Sequence, residues 1–486
     1  MPYSKTPQQS TYQTKTIDFL ASQYNRGVVP TTDIDFLNVY LELRQDKSLG
    51  ENDYEWVKRP GSTSYIPSVG TSPRGHYYNA DFKKYYYVVA DTLYVWNVAT
   101  NTLSTSIAAF FGTSSGDVGF TEYLYDNGTQ VVVLTDGTTL KQIDSANVVT
   151  TCVDPDLPVP HQPYPIFLDG YLFVLKTGTG DLYNSDLNNP MQWTAGAFIS
   201  CEILPDQAIR PIKLNNYIAV FGTNSIEYFW DAGNSTGTPL QRNDTPVKFN
   251  GYLGGYAQWG NKVYFVGNNV EGQPSVFSLE DLKMDEVAGA TLTRYLANLT
   301  QTYSTYRGSI VCTAGHVFYV LNAGSYTFVG DLTTKQWFRW AYQQNSGMAL
   351  SGAVNIKTAD TYRCLFYRDV DSTIYQFSPL VYQDMGVNYT CQLVTENEQF
   401  DTYNQKTMSR LTLWADKPTS SATALISWSD DDYQTFSSPV PLELYQERPS
   451  INRLGRFRKR AFKLSFTQNQ PMRFRGIEVN INMGQN

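Results

Sequence analysis

Charge, histidine and cysteine are all scarce in this chain, and each scarcity removes a class of function. Charged residues make up 17% of the 486 residues and hydrophobic ones 42%, the proportions of a globular protein and not of a disordered tail, a collagen or a coiled coil. The three histidines, His76, His161 and His316, stand nowhere at metal-ligand spacing, which argues against a zinc centre or a histidine-based triad. Five cysteines, Cys152, Cys201, Cys312, Cys364 and Cys391, are scattered, odd in number and never spaced Cys-x-x-Cys. They are expected to be buried thiols, not a disulfide framework or a zinc knuckle. No apolar run reaches the roughly 18 residues that span a bilayer, and Met1 to Thr16 is polar, without the hydrophobic segment of a signal peptide. The expectation is a protein made in a cytoplasm and not inserted into a membrane. On that expectation the Asn-x-Ser/Thr sequons at Asn127, Asn234, Asn243, Asn298 and Asn388 are by-products of polar turns. No Gly-x-x-x-x-Gly-Lys-Ser/Thr occurs, so a P-loop is excluded.

Aromatic residues, by contrast, are abundant: 36 Tyr, 25 Phe and 9 Trp, a bias that suits pleated, half-buried surfaces. The chain repeats one pattern, a short apolar strand, a tight polar turn and a second strand. Tyr85-Tyr86-Tyr87-Val88-Val89 turns into Leu93-Tyr94-Val95-Trp96, and Val131-Val132-Val133-Leu134 turns at Asp136-Gly137, a strong hairpin signal. Strand centres fall near residues 87, 132, 173, 219, 264, 319 and 365, a period of about 45 residues that matches a β-propeller blade. An irregular β-sandwich is the competing architecture, but its strands would recur without this larger period. The expected fold is all-β, a propeller of six to seven blades with a flanking β-layer built from the N- and C-terminal segments. The division is 1–62, an arm and flanking strands; 63–383, the propeller; and 384–486, a β-layer with a basic patch. One helix is expected, Glu286 to Leu299, where Val287, Leu292, Leu296 and Leu299 recur at near-helical spacing.

The net charge of −8 is uneven. From Glu447 onward nine basic residues oppose Glu447 and Glu478, a surplus of seven, so the first 446 residues carry −15. An ordinary nucleic-acid binder has a basic stripe across its whole domain. The cations Arg453, Arg456, Arg458, Lys459, Arg460 and Lys463 read instead as a docking patch for an acidic partner, or as a solvated outer face. Ser429-Asp430-Asp431-Asp432-Tyr433-Gln434-Thr435-Phe436 is close to the Asp-box pattern, with Tyr433 where Gly is usual. In it Ser429, Asp431, Thr435 and Phe436 would make a structural turn through local hydrogen bonds, not a catalyst. Abundant carboxylates single out no acid/base pair. No catalytic, cofactor-binding or metal-binding residue emerges.

Three stretches resemble one family. Tyr217-Ile218-Ala219-Val220-Phe221-Gly222-Thr223-Asn224-Ser225-Ile226-Glu227-Tyr228-Phe229 is similar to a signature segment of the packaged-DNA stabilisation proteins, the tail hub or nozzle proteins of short-tailed bacteriophages. Asn38-Val39-Tyr40 with Arg59-Pro60-Gly61 resembles that family's opening. Leu454-Gly455-Arg456-Phe457-Arg458-Lys459 with Phe462-Lys463-Leu464 resembles its closing basic segment. The resemblance implies a virion protein, assembled in the host bacterial cytoplasm, that forms a six-fold ring beneath the portal. There it would continue the DNA channel, retain the packaged genome and support ejection. It further implies a homo-hexamer with the head-to-tail adaptor above, a tail needle or tip below, tailspikes or fibres at the side and genomic double-stranded DNA passing through, with no catalysis and no cofactor. The alternative is a carbohydrate-active or carbohydrate-binding propeller, such as a phage depolymerase or a sialidase-like enzyme.

Overall fold

The computed structural model describes residues 12–19, 35–43, 54–234, 236–299, 306–342, 346–358, 362–368 and 371–483; the polar arm expected before residue 12 lies outside them. Seven four-stranded antiparallel units follow one another around an axis, at residues 73–107, 119–151, 166–200, 208–248, 254–286, 306–342 and 350–378. They are the blades of a β-propeller, numbered one to seven here in that order. The last run supplies only three strands. Its fourth is Gly61–Ile66, which pairs antiparallel with Asp371–Ser378, so a segment preceding blade one closes blade seven and ties the ring shut.

The second strand of each blade carries the sequence period, for a physical reason. Tyr217–Gly222, for example, is buried along almost its whole length, because a strand inside its sheet, with a blade on either face, must be apolar on both sides. Seven hydrophobic cores fill the seven gaps between blades. Outer strands face water: Thr102–Ile107 has no buried residue. At the axis the inner strands approach so closely that Gly308 has no room for a side chain; a Cβ there would sit 2.0 Å from the Gly255 carbonyl oxygen. The helix is Ala290–Ala297, between blades five and six, with Leu292, Tyr295 and Leu296 buried. It is shorter than the sequence suggested because Lys283–Glu286 continues as the outer strand of blade five and Gly289 caps the helix.

The flanks share one core. One sheet runs Val39–Leu43, Tyr54–Lys58, Arg473–Met483, Lys406–Ala415, Ser450–Phe457, with Tyr12–Asp18 also on Arg473–Met483. The other runs Phe36–Leu37, Cys391–Val394, Ala461–Phe466, Thr423–Ser429, Val440–Glu443. The faces pack as a sandwich through residues such as Leu411, Ile477, Val479, Ile426 and Leu464, and the same core continues into blades six and seven through Trp340, Phe338 and Phe366. The division expected at residue 62 falls inside the closing strand Gly61–Ile66. All five cysteines are free thiols; Cys312, Cys364 and Cys391 are buried, Cys152 and Cys201 half-buried.

Candidate functional site

Three places could carry function: the propeller axis, the junction of propeller and sandwich, and the basic edge of the sandwich. The axis is crowded by side chains. Arg210, on the inner strand of blade four, is clamped between the rings of Tyr164 and Tyr256 at 3.8 and 3.9 Å. Arg307 of blade six reaches Asp117, just before blade two, at 2.9 Å, and the Tyr164 hydroxyl donates to the same carboxylate at 3.0 Å. Burial raises the Asp117 pKa, but the Arg307 guanidinium, the Tyr164 hydroxyl and Arg210 more than reverse it and hold it below the usual carboxylate range. A cavity of about 640 Å³ remains beside them, but with Arg307 of blade six bridging to Asp117 near blade two at 2.9 Å no passage wide enough for a duplex crosses the axis. Each propeller is a plugged wheel.

At the junction, the stretches that resemble the family's opening form one buried polar network. Asn38 adopts a left-handed backbone (φ 56°). Its side-chain oxygen accepts from Arg59 Nε at 2.9 Å and from the Ala341 amide at 2.8 Å. Arg59, fully buried, makes a two-point ion pair with Asp384 and lies 3.9 Å over the Tyr389 ring. Gly61 follows because a Cβ would meet the Gln383 carbonyl oxygen at 2.1 Å. A second buried pair, Arg339 with Asp35, joins blade six to the strand Phe36–Leu37, which runs parallel to Trp337–Tyr342. Charge pairs, hydrogen bonds and a shared sheet thus fix the sandwich to the wheel.

The six cations of the basic segment separate by environment. Arg453, Arg456 and Arg458 are exposed on or beside Ser450–Phe457, the last strand of its sheet. Lys459 pairs with Asp432, and Lys463 sits 4.2 Å over the Phe436 ring. Arg460 leaves the docking set: it is 1% exposed, grips Asp430 through two hydrogen bonds of 2.7 and 2.8 Å, and donates to the Leu454 carbonyl. It joins elements of the sandwich from within.

Ser429, Asp431 and Thr435 form the turn between Thr423–Ser429 and Val440–Glu443. Asp431 accepts from the Ser429 hydroxyl at 2.8 Å, from the Thr435 amide at 2.9 Å and from the Thr435 hydroxyl at 2.5 Å. Those bonds, led by the Thr435 hydroxyl, lower its pKa to about 2. The turn lies in the sandwich, not in a blade. The histidines serve the fold: His76 faces Tyr85, His161 bonds Thr135 and the Pro158 carbonyl, and His316 bonds Asp331. The sequence was read as lacking Gly-x-Ser-x-Gly and hence a hydrolase elbow, but Gly112-Thr113-Ser114-Ser115-Gly116 spells that motif. It occupies an irregular loop between blades one and two, not the strand-to-helix elbow that exposes a nucleophile. Among the described residues no cluster of His, Cys, Asp or Glu could hold a metal ion, and no helix is long and apolar enough to cross a membrane.

Among solved structures, the fold is similar to a streptogramin B lyase (11% identity, TM-score 0.42, 66% of this chain and 98% of that one). It is also similar to the N-terminal domain of Nup159 (12%, 0.41, 71% and 100%) and to virginiamycin B lyase from Staphylococcus aureus (12%, 0.43, 65% and 98%). At these scores the likenesses carry no functional inference. No curated protein matches the chain. Residues 31–353 match the family model described as "Bacteriophage P22 Gp10, beta-propeller", a family of structural proteins of the phage tail, which does not favour the carbohydrate-active alternative. Over most of its length, then, the chain carries the hallmarks of that propeller, and it belongs to the Bacteriophage P22 Gp10 family.

Proposed function

We propose that copies of this chain form the nozzle of a short phage tail, a ring of six beneath the portal and its head-to-tail adaptor. The ring continues the DNA channel, retains the packaged genome and opens for ejection. The observation that carries this reading is the plugged axis: with Arg210, Tyr164, Tyr256 and the Arg307–Asp117 pair across each propeller, double-stranded DNA must run between copies, each wheel serving as a section of wall. The buried charge pairs at the junction support it, since a wall under load needs its two domains fixed together. The acidic body supports it too, because a surface of net −15 over residues 1–446 repels phosphates and lets the duplex slide. The exposed cations Arg453, Arg456 and Arg458 then dock on an acidic neighbour, with the adaptor, a needle or tip and tailspikes or fibres as the contacts available. Particles assembled without this chain should package DNA and then lose it; particles that keep a full genome without it would overturn the reading.

A further inference from the structure

Two patches of opposite charge lie on opposite sides of the wheel. The basic one is the strand Ser450–Phe457. Its sheet begins with Val39–Leu43, which lies against Trp337–Tyr342 of blade six, and ends with Ser450–Phe457, so Arg453, Arg456 and Arg458 stand at the edge away from the wheel. All three are exposed; Arg458 donates to the Tyr403 carbonyl at 3.0 Å, and Tyr403 is itself 56% exposed. The acidic patch is an arc of turns on one face of the wheel. In an antiparallel blade the first and third turns leave by the same end. Neighbouring blades meet at that end through Lys84 and Asn147 at 2.7 Å, the Tyr123 hydroxyl and the Gly170 carbonyl at 2.7 Å, Lys213 and the Phe167 carbonyl at 3.0 Å, and Asn215 and Asp281 at 2.8 Å. Along blades two, three and four the turns and the strand ends beside them bring together Asp126, Asp144, Asp169, Asp186 and Asp231, and the turns contain no Lys or Arg. Asp144 accepts from the Ala146 and Val148 amides at 2.8 Å each, Asp186 from the Thr194 hydroxyl at 2.7 Å and Asp231 from the Gly233 amide at 2.7 Å, all neutral donors that leave the charge in place. Leu187 and Trp230, 55% and 40% exposed, stand among them.

We propose that the basic edge of one copy docks on the acidic arc of the next, a head-to-tail contact between unlike surfaces. It rests on the docking role given above to the three arginines, and it names their acidic neighbour as a further copy of this chain. The sandwich is joined to blades six and seven, and in a wheel of seven blades the position across from that junction is blade three, the centre of the arc. One copy therefore cannot bring its own two patches together, whereas successive copies can, and contacts between unlike surfaces close into a ring when the rotation allows. Opposite charge across the contact steers encounter and fixes register, while Leu187, Trp230 and Tyr403 supply apolar area.

Sedimentation velocity of the purified full chain tests the contact. The wild type should self-associate, with affinity falling about tenfold or more as salt rises from about 50 to about 500 mM. Arg453→Glu with Arg456→Glu and Arg458→Glu should leave a folded monomer, and so should Asp126→Lys with Asp169→Lys and Asp186→Lys. Mixed together, the two variants should associate, because each presents one native and one reversed surface and only unlike neighbours match. If the lysine variant does not fold, Asp126→Asn with Asp169→Asn and Asp186→Asn reads the same arc and should weaken self-association about tenfold or more. A wild type that stays monomeric at every concentration, a reversed or neutralised variant that associates as the wild type does, or a mixture of folded reversed variants that stays monomeric would overturn the contact and leave the edge to an unlike partner. None of these results bears on genome loss from particles lacking the chain, so the contact and the nozzle can fail separately.

Discussion

Arg59 cannot lose Asp384 without leaving a bare charge in the core. Both side chains are fully buried, and removing one partner of such a pair typically costs about 3–5 kcal/mol, whereas replacing both with apolar groups of similar volume is often close to neutral. Asp384→Asn should therefore destabilise the chain by about 3–5 kcal/mol in denaturant unfolding, and Arg59→Met with Asp384→Leu should recover most of the loss. Lys58, beside this pair, gives a pH signature. Burial, with the Arg59 charge nearby, lowers its pKa to about 8, against about 10.4 when unfolded. Between those values the unfolded chain binds a proton that the folded chain does not, so the Lys58 contribution to stability should rise with pH from about 8 to 10, against the loss from the five thiols whose pKa burial raises. The difference in unfolding stability between the wild-type chain and Lys58→Met should therefore shift in favour of the wild type across that window. None of this was legible from sequence: Asn38 and Arg59 stood out only as a resemblance, because Asp384, Tyr389 and Ala341 lie hundreds of residues away. Arg460 was misjudged for a similar reason, since nothing in its own basic stretch reveals its pairing with Asp430.

Strands were legible according to their place in the blade. Second strands such as Val131-Val132-Val133-Leu134 announce themselves because both faces are buried. Inner strands do not: Pro73–Asn79 reads Pro-Arg-Gly-His-Tyr-Tyr-Asn, a composition set by close backbone approach and by the cavity it lines. Outer strands, polar and exposed, resemble loops. The closing strand Gly61–Ile66 was assigned largely to the wheel by a boundary at 62, but its role in blade seven depends on a pairing with Asp371–Ser378 that no local pattern encodes. At the basic edge, Ser450–Phe457 ends its sheet with cations, a common guard against unwanted strand pairing. Replacing Arg453, Arg456 and Arg458 together by Glu should block incorporation into particles while changing stability by only about 0.5 kcal/mol per site, read as an unchanged melting curve and absence from purified virions. Normal incorporation of the triple variant would return the three to a solvated edge.

Tyrosine governs how the whole molecule meets alkali. Burial pushes the Tyr264 and Tyr306 hydroxyls up to about 12, and those of Tyr77, Tyr86 and Tyr87 higher still. A raised folded-state pKa stabilises fully below the unfolded value near 10 and is lost as pH climbs through the folded one. Stability should therefore fall steeply above about pH 10, with tyrosine ionisation, followed by ultraviolet absorbance, coinciding with unfolding. Gradual ionisation of a chain still folded would contradict this.

The propeller, its seventh repeat and a flanking β-layer were readable, the period being written in the second strands; the closure of blade seven by Gly61–Ile66 and the core that the flanks share with blades six and seven were not, because both depend on chain segments that meet only after folding. The central claim is that each propeller is a closed section of wall and that DNA passes between copies. Electron cryo-microscopy of assembled particles tests it most directly. The account predicts a six-fold ring beneath the portal and adaptor, with the duplex at its centre and every propeller axis filled by Arg210 and its tyrosines. Density for this chain outside the tail, or a DNA path through a propeller axis, would contradict it.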